Sequence, residues 1–204
     1  MSLIHRRTGA PTGGQGREAG QTLVEFAFVL PLFLLLVFAV IEFTFVFSGM
    51  LGISYATRDA ALLAAEAGNT DCADFVILQA VDSAVTAPGD DNRIQSIVIY
   101  RADQNGIEMT GVANRWTRGS SSSCAGMTVP YVLQDEGYPE ASRCNFLAGC
   151  GTGHPGLDTI GVRITYTHQW VTPLGGFPGP GFGGQGGGGF TLTQSNSMRM
   201  EPVL

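Results

Sequence analysis

The apolar pattern of this chain changes period along its length. Phe26 to Ile41 carries no charge; the run pauses at Glu42, resumes with Phe43-Thr-Phe-Val-Phe47, and meets no further charge until Arg58. A bilayer core of ~30 Å needs ~20 apolar residues as helix, so the stretch is long enough to span. It lacks the polar face of a soluble core helix, which predicts a transmembrane helix over residues 21–49. Beyond it Ile53, Ala56, Ala60, Leu63, Ala64 and Ala67 recur at helical spacing, with Arg58, Asp59 and Glu66 opposite. The helix is therefore expected to continue over residues 50–68 and to stop at Gly68-Asn69, a C-cap pair. Residues 21–67 then form one rod of ~70 Å.

A second helix is expected to open at Asp71 and Asp74, to bury Ile77, Leu78, Val81, Ala84 and Val85, and to stop at Pro88-Gly89. Ile94 to Arg101 reads as a strand covered on both faces, since Ile97-Val-Ile-Tyr100 does not alternate. Asp103-Gln-Asn-Gly106 reads as a hairpin turn into a strand near Ile107–Val112. It also resembles the start of a calcium loop, but Glu108 is too close to be the distal ligand. Residues 113–156 show no sustained period and read as a long loop. Thr159 to Val171 is the clearest strand: Ile160, Val162, Ile164, Tyr166, His168 and Trp170 share one face. Gly175 to Phe190, within a loop over 174–190, reads as a Gly-rich hairpin tip whose Phe177, Phe182 and Phe190 could touch lipid or a neighbouring subunit. No P-loop Lys follows, so it is no phosphate cradle. Leu192 to Met200 reads as the returning antiparallel strand. These elements define an α+β chain: a long N-terminal helix packed on a small antiparallel sheet domain over residues 69–204.

Charge sets the topology. Residues 1–20 hold three of the 11 basic residues (Arg6, Arg7, Arg17) and one of the 17 acidic ones (Glu18), leaving 8 basic and 16 acidic residues, a net of −8. So acidic a remainder argues against nucleic acid, which needs a basic patch. The arginines precede the span, which predicts a cytoplasmic N-terminus and a C-terminal domain outside the inner membrane. There is no Lys in the chain, which excludes Lys-based Schiff-base or isopeptide chemistry.

On the outer side Cys72, Cys124, Cys144 and Cys150 suit two disulfides, with three connectivities open. A bridge within 113–156 would tie that loop down. A four-Cys zinc site would show close CxxC pairs, and there are none. His168 shares its face with aromatics and reads as a core or rim histidine. No nucleophile elbow and no metal-ligand cluster of ordinary spacing is present, so no enzyme activity, metal or cofactor is expected.

The leader, residues 1–20, is Gly-rich, polar and basic, and residues 1–19 are expected to be disordered. A secretory signal would have a shorter apolar core with the cleavage site after it. Here Gly20 stands before the apolar run and Glu25 five residues further on. The segment GQTLVEFAFVLPLF resembles the cleavage and assembly segment of type IV pilins. More narrowly, GQTLVEFAFVLPLFLLLVFAVIEF resembles the TadE-like pseudopilins of tight-adherence (Flp) pili, and LDTIGVRITYTHQWVTPL and MRMEP are similar to that family too. The resemblance implies a pilin-like fold and cytoplasmic-side cleavage at Gly20–Gln21 by a prepilin peptidase. It also implies partners among pilus or pseudopilin subunits and their assembly platform, besides the lipid bilayer. Cleavage would leave an α-amine on Gln21 that a neighbour's Glu25 could pair with, fixing axial register; otherwise Glu25 sits in the headgroup layer beside Arg17. Pro31 frees the carbonyl of Ala27 and should bend or loosen the helix, as spanning helices tolerate or as extraction into a fibre would use. Glu42 either snorkels to the outer interface or pairs with a partner helix. The function implied is a minor pseudopilin acting in pilus assembly. The competing function is a single-span extracytoplasmic binding module that never polymerises.

Overall fold

The computed structural model describes residues 15–85, 90–172 and 189–202, with side chains from Gly20 onward. The expectations for residues 1–14, for Pro88-Gly89 and for Phe177 and Phe182 lie outside the described residues. Helix α1 runs unbroken over Gln15–Ala67, so it starts inside the leader, before Gly20. Helix α2 is Ala73–Ala84. Five strands follow: β1 Ile94–Ala102, β2 Glu108–Cys124, β3 Met127–Glu136, β4 Thr159–His168 and β5 Phe190–Arg199. They form one antiparallel sheet in the order β3-β2-β1-β4-β5.

Both helices cover one face of this sheet. Helix α1 lies against β4 and β5 and against α2, which in turn packs on β3. The half of α1 that does this is lined by Ile53, Ala56, Ala60, Ala61, Ala64 and Ala65, all buried. Alanines hold the helix close, and Ile77, Leu78 and Val81 of α2 fill the space beside them. The strand contribution is Ile97 and Ile99 of β1 with Ile160, Val162, Ile164 and Tyr166 of β4. Val98 and Tyr100 of the central strand are buried on the opposite face, as its unalternating sequence predicts. There Tyr100 lies flat across Gly161: a Cβ at that glycine would come within 2.4 Å of the ring. The Arg163 guanidinium covers the same ring at 5.1 Å.

Helix α1 ends as its sequence predicts. Gly68 takes φ +59° and its N–H bonds to the Ala64 carbonyl at 3.2 Å. A second orphan carbonyl, that of Ala65, receives the N–H of Glu201 just past β5. The start of α2 departs from expectation. Asp71 and Asp74 do not cap it; instead the Glu140 carboxylate reaches across from the β3–β4 connection and accepts the N–H groups of Cys72 (2.8 Å) and Asp74 (2.7 Å). The turn after β1 is confirmed, since Asp103 Oδ1 accepts the N–H groups of Asn105 and Ile107 at 2.8 and 2.9 Å. Those two N–H groups, that of Ile107 foremost, hold the Asp103 carboxyl below its ordinary range.

The largest correction concerns residues 113–156. Their first half is a hairpin of β2 and β3, turned at Ala125-Gly126 with φ of 47° and 85°. Only residues 137–158 form the connection, which crosses from edge strand β3 to β4 on the far side of β1. Two disulfides tie these parts: Cys72–Cys124 joins the head of α2 to the hairpin tip, and Cys144–Cys150 closes a small loop in the crossover. The predicted bridge within residues 113–156 is therefore present, and the cysteines are bridged rather than free for zinc. The two bonds should differ in worth. By chain entropy, Cys72–Cys124, with a separation of 52, is worth about 4 kcal/mol and Cys144–Cys150 about 2 kcal/mol. Urea unfolding of the two paired Cys→Ser variants should rank them in that order; equal losses would contradict the loop-length argument.

Candidate functional site

The residues singled out at the N-terminus lie along one exposed helix. Gly20 has open space around it: a Cβ there would meet nothing within 4 Å. One turn on, the Gln21 amide Nε2 donates to Glu25 Oε1 at 3.0 Å, both side chains exposed. Pro31 sits inside α1, and the helix continues past it without a break. Most apolar side chains of this half are exposed. Leu23, Phe28, Leu32 and Leu36 are 69, 79, 70 and 59% exposed. An apolar helix left bare by its own protein needs an apolar surrounding. It is long and apolar enough to cross a membrane, and it is not the buried core helix of a soluble domain.

Glu42 marks where the helix meets the sheet domain. The sequence places it at the outer interface or against a partner helix. The structure instead turns it inward, where it is 2% exposed. Its Oε1 lies 2.9 Å from His168 Nε2 at the end of β4. The N–H groups of Val171 and Thr172 donate to the same carboxylate at 3.1 and 2.9 Å. These are backbone donors past the end of β4, and the carboxylate gives them an acceptor. His168 is indeed a buried histidine among aromatics: Phe190 and Trp170 lie at 5.2 and 6.4 Å between ring centres. Phe190 opens β5 and does not belong to a loop tip. A signal for the pairing existed in the sequence. One lone ionisable group sits on an otherwise apolar helix face and another on an otherwise apolar strand face, and each needs the other.

Two further polar clusters lie toward the far end of the domain, and sequence reasoning missed both. Asp74, buried near the start of α2, receives the Arg143 guanidinium on one oxygen and Asn114 Nδ2 (2.8 Å) and Trp116 Nε1 (3.2 Å) on the other. Asp158, just before β4, collects Arg101 Nε (2.9 Å), Tyr138 OH (2.9 Å), the Cys144 N–H (3.0 Å) and His154 Nδ1 (2.8 Å). Burial first, and the Asp158 carboxylate second, push the Tyr138 hydroxyl well above its ordinary range, so it stays a donor. A His held by a buried Asp is half of a nucleophilic triad. Yet among the described residues no hydroxyl or thiol is hydrogen-bonded to His154 Nε2. Asp158 is already committed to its other donors, which pin the Cys144–Cys150 loop to the sheet. No group of three or more His, Cys, Asp or Glu able to hold a metal occurs among the described residues.

A long helix, half bare and apolar and half packed on an antiparallel sheet, with an acidic residue near its start, defines the class of single-helix-anchored α+β domains. Residues 20–62 match the model of a protein family described as TadE-like protein. The likeness is thus confined to α1, from the glycine before the apolar run to the alanine-lined half, and the apolar part of that helix is consistent with a membrane anchor. The match ends before α2, so the likeness noted in LDTIGVRITYTHQWVTPL and MRMEP is not part of it. No curated protein and no solved structure matches the chain.

Proposed function

We propose that the protein is a membrane-anchored minor pseudopilin that acts in assembly of a Tad-type pilus through packing of α1 and contacts of its sheet domain. The observation that carries this is the bare apolar half of α1, with Glu25 as its one acidic residue, inside the TadE-like match. A spanning segment over residues 21–49 with the domain outside the inner membrane suits the basic leader and the two disulfides. Gly20 has open space where a Cβ would stand and Gln21 is exposed, which suits a prepilin peptidase on the cytoplasmic face. In the uncut chain the Gln21 side chain occupies Glu25. Cutting there would put an α-amine on Gln21 in place of a peptide bond, and Glu25 of a neighbouring subunit could accept it. Pro31 would let the helix yield as subunits leave the bilayer for the fibre or its platform. Glu42 would serve assembly indirectly, by holding the sheet domain at a fixed position on α1.

N-terminal sequencing of the protein extracted from its host's membranes tests the processing step. The expected start is Gln21. Glu25→Ala should still be cut and anchored, but its recovery in sheared surface fibres should fall at least about tenfold, as loss of ~1.4 kcal/mol per subunit contact would give. Normal recovery would remove Glu25 from assembly. A start at Met1 or Ser2 would favour the competing function, a fixed single-span binding module that does not polymerise.

A further inference from the structure

Glu42 interrupts an apolar helix that does not otherwise end there. Phe43 and Phe47, on the next two turns, are 71 and 53% exposed and stack on each other at 6.3 Å. The Thr44 hydroxyl between them is satisfied by the Val40 carbonyl at 2.8 Å, so it offers no unmet donor beside the rings. From Gly20 to Ile41 the helix is ~33 Å long, already the thickness of a bilayer core. Phe43 and Phe47 therefore fall at the outer surface of that core, ~3 and ~9 Å further along the axis. At the same height the sheet comes down beside them. Trp170 and Phe190 meet at 5.8 Å between ring centres, and Val171 is 56% exposed. Neither Ile164–Thr172 nor Phe190–Met198 carries an acidic or basic residue apart from His168, which Glu42 holds. The charges of β4 and β5, Arg163 and Arg199, lie away from this end.

We propose that this end of the sheet is a lipid-binding foot: Trp170, Val171 and Phe190 rest in the outer interfacial layer of the bilayer beside Phe43 and Phe47. The occupant is a phospholipid surface, because the foot continues the bare apolar helix and lies where indole and phenyl rings partition. The inward turn of Glu42 makes this possible. Its carboxylate and the strand-end N–H groups satisfy one another under the rings, so none of them faces lipid. The foot would fix the height and tilt of the whole domain over the membrane. This rests on the reading of α1 as a membrane span, and the test separates the two.

The full chain is reconstituted in phosphatidylcholine vesicles, plain or brominated on the acyl chains either near the headgroup or near the bilayer centre. The chain has two tryptophans, so Trp170 is read as the difference between the wild type and Trp170→Phe, and directly in Trp116→Phe. Shallow bromine should cut Trp170 emission by about half, more than deep bromine does, as for an indole at the interface. Protein that floats with the vesicles while Trp170 emits equally with and without bromine overturns the foot and leaves the span standing. Protein that does not float overturns the span and the foot together. Deeper quenching than shallow places the strand end inside the core and overturns an interfacial seat.

Discussion

Asp74→Ala is expected to destabilise the sheet domain by about 3–5 kcal/mol, the largest single-residue effect in the protein. The carboxylate is 3% exposed and its Arg143 partner 2%. Removing it leaves a guanidinium in the interior with no counter-charge, and two of that group's nitrogens, Nε and Nη1, already lack a hydrogen-bond partner. Asn114 Nδ2 and Trp116 Nε1 lose their acceptor as well. Asp74, Asn114, Trp116 and Arg143 are all almost wholly buried, so much of the desolvation cost falls on the folded state. Arg143 also stacks over the Tyr138 ring at 5.1 Å, so its movement would disturb the crossover that carries Asp158. Asp74→Asn should be nearly as harmful, because it removes the charge and turns donors toward donors. The diagnostic is the double variant Asp74→Leu with Arg143→Met, which removes both charges. It should cost clearly less than the two single changes added together. Urea unfolding followed by far-ultraviolet circular dichroism on the full chain in detergent reads the wild type and each of these variants. A loss under about 1 kcal/mol for Asp74→Ala would mean that the pair is not a structural centre.

The parts of the fold that could be read in advance were those with an unbroken local signal: a steady period, a continuous apolar run or a turn signature. Helix α1, the buried face of α2, the turn at Asp103 and strands β1, β4 and β5 all belong to this group. The β2–β3 hairpin was hidden because its alternation is broken twice. The register slips between Arg115 and Trp116, and again between Arg118 and Ser122. In the second slip the residues Gly119-Ser-Ser121 face Pro130 alone, so the run of serines is divided between a bulge and the ladder and is not a loop. Pro130 also argues against a strand in sequence. It is tolerated because β3 is an edge strand, with one side unpaired. The turn residues Ala125-Gly126 lack the Asn-Gly or Asp-Gly signature that marks such hairpins.

The candidate site divides along the same line. Gly20, Gln21, Glu25 and Pro31 are singled out by a local argument: position along one helix, and distance from its apolar start. Asp74 was misread because Asp near a helix start is ordinarily a cap. Glu140, 66 residues away in sequence, took that role and freed Asp74 to turn inward. Long-range polar pairs leave only indirect traces in a sequence, as unexplained ionisable groups on apolar faces. Glu42 and His168, separated by 126 residues, are such a case.

Glu42→Ala is expected to undo the seat of β4 and β5 on α1, at a cost of about 2–4 kcal/mol. His168 Nε2 and the N–H groups of Val171 and Thr172 all depend on this one carboxylate, and Glu42 and His168 are almost wholly buried, 2 and 3% exposed. Alanine supplies no acceptor and leaves a void, so the end of β4 must open to find water. The opening should be local. Amide exchange at Val171 and Thr172 should accelerate by about tenfold or more, while Ile97 and Ile99, in the centre of the sheet, keep their protection. Glu42→Gln separates charge from hydrogen bonding: its one carbonyl oxygen can accept part of the load, so the gain in exchange should be smaller than for alanine. Unchanged protection at residues 171 and 172 in both variants would show that Glu42 does not hold the sheet. Glu25→Ala is the natural control, since nothing in the sheet domain touches Glu25. The two carboxylates of this one helix would then be separable by experiment. If the proposed assembly role holds, loss of Glu25 would leave a folded domain that joins its neighbours poorly. Loss of Glu42 would leave a helix that no longer carries its domain at a defined height, and assembly would fail for that second reason even with Glu25 intact.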